Sequence, residues 1–245
     1  MFDILITAAE KDYNKLIFVI RSIRKNIDGF DDIHVISPTN IINKIDGVKY
    51  SLDKDVVNFD FSQFKGNIAA RTGWYKQQFI KLFQNVTKDN YLVIDSDVYI
   101  NRKIDLFVDG HPCFLLGEDQ DHFPYFEFTK KVLGFGRIYP HSFINEIMYF
   151  QRGLIQSMIE PWTEEGFFIT SVDVLNKINH KTSSFSEYET YGNFVSKYYP
   201  GLYRFQFIKT ASKALRKEWN SEELEQYILS FEDKNVDKLS MHTWI

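Results

Sequence analysis

Residues 90–101 read "NYLVIDSDVYIN", and the change of character inside this stretch decides the fold. Tyr91 to Ile94 is an apolar run of the kind that fills a buried strand, and Val98, Tyr99 and Ile100 resume it. Between them stand Asp95, Ser96 and Asp97. Burying a carboxylate is costly unless it is paired or bound to a metal. The chain must therefore deliver these two acids to a point where positive charge meets them.

The rest of the first half alternates strand and helix patterns. "DILIT" (3–7) is a short strand, and Leu16, Val19, Ile20, Ile23 and Ile27 follow at helical spacing. "DIHVISP" is a second strand stopped by Pro38, with "VKYSL" and "VVNF" as weaker ones. "TGWYKQQFIKLFQNV" is the clearest helix, with Tyr75, Phe79, Leu82, Phe83 and Val86 on one stripe. "YLVID" and "CFLLGED" follow as strands. Such alternation implies an α/β fold whose mixed, mostly parallel central sheet is flanked by helices. Ligands of such sheets bind at the carboxyl ends of the strands. Thr7, the Asp95/Asp97 pair, and Glu118 with Asp119 are expected to share that rim.

Further on, residues 120–142 read as an irregular aromatic excursion, and "EIMYF" as a later strand. "GLIQSMI" starts a helix or turn, and "FFITSVDVLNKI" and "SEYETYGNFVSKYY" are helices. The tail "KLSMHTWI" returns to the core. No repeat, low-complexity tract or linker divides the 245 residues, which are read as a single domain.

The net charge of −4 offers no general field for nucleic acid or acidic membranes. An anionic ligand needs a local cation or backbone N–H groups. A lone cysteine, Cys113, excludes an internal disulfide framework and suits a reducing compartment. The opening "MFDILITAAEKD" has no signal-peptide pattern, and no apolar run approaches the ~20 residues of a membrane span. A cytoplasmic location is expected.

Two carboxylates one residue apart at a strand end form a half-site for Mg²⁺ or Mn²⁺, completed by water and phosphate; the alternative is a strand-end turn whose acids cap or face solvent. Strand, D-x-D, then "VYINRKIDLF" resembles the metal-binding segment of GT-A-fold glycosyltransferases that use nucleotide sugars. "GWYKQQFIKL" and "FSEYETYGNFV" resemble more particularly a group of glycosyltransferase-like proteins in which these blocks accompany the D-x-D.

The resemblance implies a GT-A fold and a donor-binding half over residues 1–119. Residues 120–245 would form the acceptor half and tail. It implies Asp97 as principal ligand of Mn²⁺ or Mg²⁺, with Asp95 on the ribose or the metal through water and Ser96 beside them. His242 in "MHTWI" would join the metal, imidazole suiting Mn²⁺ better than Mg²⁺; the alternative is a packed tail histidine. Thr7, Ala8 and Ala9 would cradle base and ribose, Tyr13 would stack on the base or else serve as a core-edge aromatic, and Arg71 would meet the diphosphate. Gln78 belongs to a stripe with Trp74 and Lys81 that would turn toward sugar and phosphates; the alternative for each is ordinary helix-surface polarity.

Ser186 and Glu189 have capping-box spacing. That leaves Glu187 freer to face the cleft, where the resemblance implies an acid at a helix start that deprotonates the acceptor hydroxyl, with Asp119 as its competitor. The aromatic region between Phe123 and Tyr139, with His141, Ser142 and Asn145, would face the acceptor; the alternative for its aromatic residues is plain core packing.

The expected activity is metal-dependent transfer of a sugar from a nucleoside-diphosphate donor to a hydroxyl of a glycan, lipid or small acceptor. A sugar nucleotidyltransferase ranks lower, because "TAAEKDYNK" after the first strand lacks the glycine-rich loop of those enzymes. An inert carbohydrate-binding protein of the same fold is the non-enzymatic alternative.

Overall fold

A computed structural model describes residues 1–41, 44–117, 122–178, 183–215, 218–232 and 234–243. In chain order the elements are β1 (Phe2–Thr7), α1 (Leu16–Asn26), β2 (Phe30–Ser37), β3 (Lys49–Leu52), α2 (Asp53–Val56), α3 (Gly66–Ala69), α4 (Thr72–Phe83), β4 (Asn90–Ile94), β5 (Val98–Ile100), β6 (Phe107–Val108) and β7 (His111–Leu116). They continue as α5 (Phe123–Leu133), β8 (Ile147–Gln151), α6 (Arg152–Met158), α7 (Glu164–Lys177), α8 (Glu187–Tyr198), β9 (Arg204–Phe207), β10 (Thr210–Leu215), α9 (Ser221–Leu229) and β11 (Lys238–Thr243).

The expected mixed, mostly parallel sheet flanked by helices is present. Its five strands run in the order β3-β2-β1-β4-β8. The first four are mutually parallel and β8 is antiparallel to β4. This arrangement places the site. The carboxyl ends of β1 to β4 share one edge, and the reversed β8 brings its first residues to that same edge. All six residues of β1, and Tyr91 to Ile94 of β4, are buried, as strands covered on both faces require.

Two small sheets flank it. β11 lies parallel to β10 and antiparallel to β5, so the tail does return to the core, with Leu239 and Met241 fully buried. The other is ordered β6-β7-β9. Here the reading of "CFLLGED" needs correction: β7 does not join the central sheet. Asp109 and Gly110 both take left-handed backbone (φ 52° and 76°), and they form the two-residue turn that folds β7 back on β6. Glu118 and Asp119 lie outside the described residues.

Two further corrections concern local structure. "VVNF" is not a strand, since Val56 ends α2. The aromatic stretch contains α5, opened by Pro124 in its first turn and closed by Gly134 at φ 75°. One hydrophobic cluster runs from Phe2 to Met241. No helix among the described residues is long and apolar enough to cross a membrane.

Helix α8 is seated unusually close to its neighbour. A Cβ added at Gly192 would lie 2.3–2.6 Å from three ring atoms of Phe143, which is itself fully buried. The ring root cannot swing aside as a flexible chain end would. Gly192→Ala is therefore expected to lower stability by ~1–3 kcal/mol through overpacking, read as a lower urea midpoint with an unchanged slope.

Candidate functional site

The D-x-D occupies the bend between β4 and β5, and backbone pairing from two distant segments fixes it. Asp95 N donates to Glu146 O at 3.0 Å, and Met241 N donates to Asp97 O at 2.8 Å. The first bond continues the β4–β8 ladder, and the second belongs to the approach of β11 to β5. Glu146 has left-handed backbone at φ 61°, a conformation uncommon outside glycine, asparagine and aspartate.

These contacts assemble two polar clusters. In the first, Asp97 Oδ2 lies 3.2 Å from His242 Nδ1, and His242 Nε2 lies 3.3 Å from Glu146 Oε1. The other Glu146 oxygen, Oε2, accepts from Lys238 Nζ and Ser240 Oγ, each at 2.5 Å. Hydrogen bonding to Asp97 raises the His242 pKa against the opposing effect of burial, with Glu146 adding to the rise. Burial raises the Asp97 carboxyl, which His242 opposes and the nearby Glu146 and Asp12 reinforce. Burial works against the Glu146 carboxylate as well, but Lys238 and His242 outweigh it and hold its pKa low.

The second cluster centres on Lys81 of α4. Its Nζ lies 2.6 Å from Asp95 Oδ1, 2.7 Å from Glu187 Oε1 and 3.3 Å from the Tyr188 hydroxyl. Tyr188 donates to the same Asp95 oxygen at 2.8 Å. Burial disfavours charge on Lys81, yet Asp95 and Glu187 override it and keep the ammonium protonated well above its usual range. For Glu187, burial is the larger influence and raises its carboxyl against Lys81.

Several expected site residues are brought together and others are not. Asp95, Ser96, Asp97 and His242 gather at the rim, with Ser96 Oγ donating to Asp12 Oδ2 at 3.3 Å. Asp95, Asp97 and His242 do not bring three donor atoms within 4.8 Å of one another; among the described residues Asp3, Asp32 and His34 do so, elsewhere in the fold. Glu187 does not face an open cleft: it is fully buried, because Lys81 draws it inward. The capping box at Ser186 is half formed. Ser186 accepts from Glu189 N, while the Glu189 side chain instead accepts from Ser142 Oγ, Phe143 N and Asn193 Nδ2.

Gln78 is buried and donates back to Trp74 O on its own helix, so it does not reach outward. Arg71 lies over the Trp74 ring at 5.2 Å, and that ring stacks on Tyr125. Thr7 and Ala8 are buried at the end of β1, and Ala9 is partly exposed. The Tyr13 hydroxyl bonds Thr39. Beside Thr39, a cavity of 280 Å³ opens at the ends of β2 and β3, lined by Ser37, Asn40, Lys44, Tyr50 and Asp55 among others. A larger cavity of 430 Å³ lies beyond the opposite end of α8, by Phe194 and Tyr198. The helix rise sets Phe194 and Tyr198 roughly 10 and 16 Å from Glu187, so its size does not make it part of this site.

Sequence reasoning missed Glu146, Asp12 and Lys238. A single signal was legible for Lys81, a basic residue on the polar stripe of α4. Removing its charge leaves Glu187 buried without a counterion. Lys81→Met is expected to cost ~3–5 kcal/mol in urea denaturation. The double variant Lys81→Met, Glu187→Gln should recover a substantial part of that loss.

No functionally curated protein matches the sequence. Among solved structures, an active-site mutant of LgtC aligns with 98% of this chain and 86% of its own, at 14% identity and a TM-score of 0.47. The galactosyltransferase LgtC in complex with donor and acceptor sugar analogues aligns over the same shares, at 12% identity and a TM-score of 0.46. At these values neither likeness argues for a shared activity. A family model, by contrast, matches residues 6–227. The chain belongs to the family of unknown function DUF6492.

Proposed function

We propose that the protein is a GT-A-type glycosyltransferase moving a sugar from a nucleoside-diphosphate donor to a hydroxyl of a glycan, lipid or small acceptor. One observation carries this reading. Asp97, Glu146 and His242, from three distant segments, converge on the carboxyl edge of a mostly parallel sheet, where ligands of such sheets bind.

The residue types at this edge suit a divalent cation, although their donor atoms would have to draw closer together to share one. Asp97 and His242 are both partly exposed, and a carboxylate with an imidazole suits Mn²⁺ better than Mg²⁺. Asp97 and His242 would hold the ion. Asp95 would contribute its second oxygen, since Lys81 and Tyr188 occupy Oδ1. When bound, the ion offsets the diphosphate charge and stabilises it as leaving group.

The remaining roles in this reading fall to other residues. The cavity by Thr39 and Tyr50 receives base and ribose, with Tyr13 beside it through its bond to Thr39 and Thr7, Ala8 and Ala9 next along the same edge at the end of β1. Arg71, stacked over Trp74, would meet the diphosphate. Residues 1–119 thus serve the donor, and residues 120–245 supply the acceptor wall and the tail carrying His242. Full burial gives Glu187 a positioning role, holding Lys81 and through it Asp95. Asp119 is then the candidate for removing the acceptor proton.

With Mn²⁺ and a panel of nucleotide sugars, slow release of nucleoside diphosphate is expected without acceptor and should stop on chelation. Asp97→Ala should reduce release roughly 100-fold or more, as loss of several kcal/mol of metal assistance requires, at an unchanged melting temperature. Absence of both release and metal-dependent nucleotide binding would instead leave the inert carbohydrate-binding reading.

A further inference from the structure

At the opposite end of β1 from Thr7, a second group of ligating side chains faces one side of the sheet. Asp3 is the second residue of β1, and Asp32 and His34 alternate on β2, which pairs in parallel with it. One donor atom from each lies within 4.8 Å of the other two. Strand geometry puts Thr7 about 13 Å from Asp3, so this group is separate from the rim carrying Asp97.

Their hydrogen bonding leaves specific atoms open. Asp3 Oδ2 accepts from Lys88 N at 2.9 Å, and Asp32 Oδ2 accepts from Lys49 Nζ at 2.7 Å. Asp3 Oδ1 and His34 Nε2 are buried and have no hydrogen-bond partner. The nearest contact of His34 Nε2 to a carboxylate is Asp3 Oδ2 at 3.5 Å, and the nearest cation to Asp3 Oδ1 is Lys88 Nζ at 4.0 Å. Asp3 is 3% and His34 is 6% exposed. Buried polar atoms are normally satisfied, and leaving one unmade costs ~1–3 kcal/mol. Unpartnered buried atoms on two of the three clustered residues mark a position for a ligand.

We propose that Asp3, Asp32 and His34 bind a Zn²⁺ ion that clasps the start of β1 to β2. An imidazole with two carboxylates is a zinc donor set, the fourth position falling to water. Magnesium and calcium prefer all-oxygen shells. Zinc at ~2.0–2.2 Å from each donor needs the three atoms closer together than 4.8 Å. The half-exposed Asp32 side chain has the freedom to close that distance, whereas the two buried donors are already fixed.

The test uses the full chain carrying Asp97→Asn and His242→Gln, so that zinc cannot bind at the rim. Isothermal titration with Zn²⁺ alone should show one equivalent bound, with an added rise in melting temperature. Adding Asp32→Asn or His34→Gln should weaken zinc binding at least about tenfold, a lost ligand costing no less than a lost supporting group. Asp32 is at the surface, so its variant tests the site even where the His34 variant folds poorly. No zinc bound to the rim-disabled protein, or an affinity unchanged by Asp32→Asn, overturns the proposal.

Discussion

The buried ammonium of Lys81 is the interaction on which the candidate site depends. It ties a helix that precedes the D-x-D to the first carboxylate of that motif and to the first residue of α8. Three elements are thereby referenced to one point. A charge in the interior needs excellent geometry to offset its desolvation, and here two carboxylates and a phenol supply it. The arrangement makes Asp95 a fixed wall of the candidate site, while the Asp97 carboxylate meets, among the described residues, a partly exposed imidazole and borders solvent.

Much of this was legible in the residues and some of it was not, for identifiable reasons. The strand ending in Asp95 stood out because a continuous apolar run stops abruptly at paired acids. The helix from Thr72 was plain from its period. The strand at Cys113 was legible, but its sheet was not: Asp109-Gly110 is a hairpin turn dipeptide, and it decides which neighbour β7 pairs with. Helix α5 hid because aromatic residues surround it, although Pro124 and Gly134 mark its two ends.

The site residues divide along the same line. Asp97 and His242 belong to short motifs readable in isolation. Glu146 has no motif; it matters because β8 runs backwards and lands it beside Asp95. Glu187 was legible as an acid at a helix start, yet its burial depends on a lysine 106 residues earlier in the chain. Local pattern reports which groups are capable of chemistry. Only topology reports which of them face each other, and only packing reports which remain open to solvent.

The parallel and antiparallel contacts of β11 also bear on how the chain acquires its shape. The complete five-stranded sheet is encoded by residue 151, whereas the strand that covers β5 and carries the imidazole begins at Lys238. On the ribosome, a growing chain can therefore own a finished central layer while β5 still presents an unpaired edge. Such an edge invites pairing with other strands, so the interval before the last strand docks is when this protein is most open to association with neighbouring nascent chains.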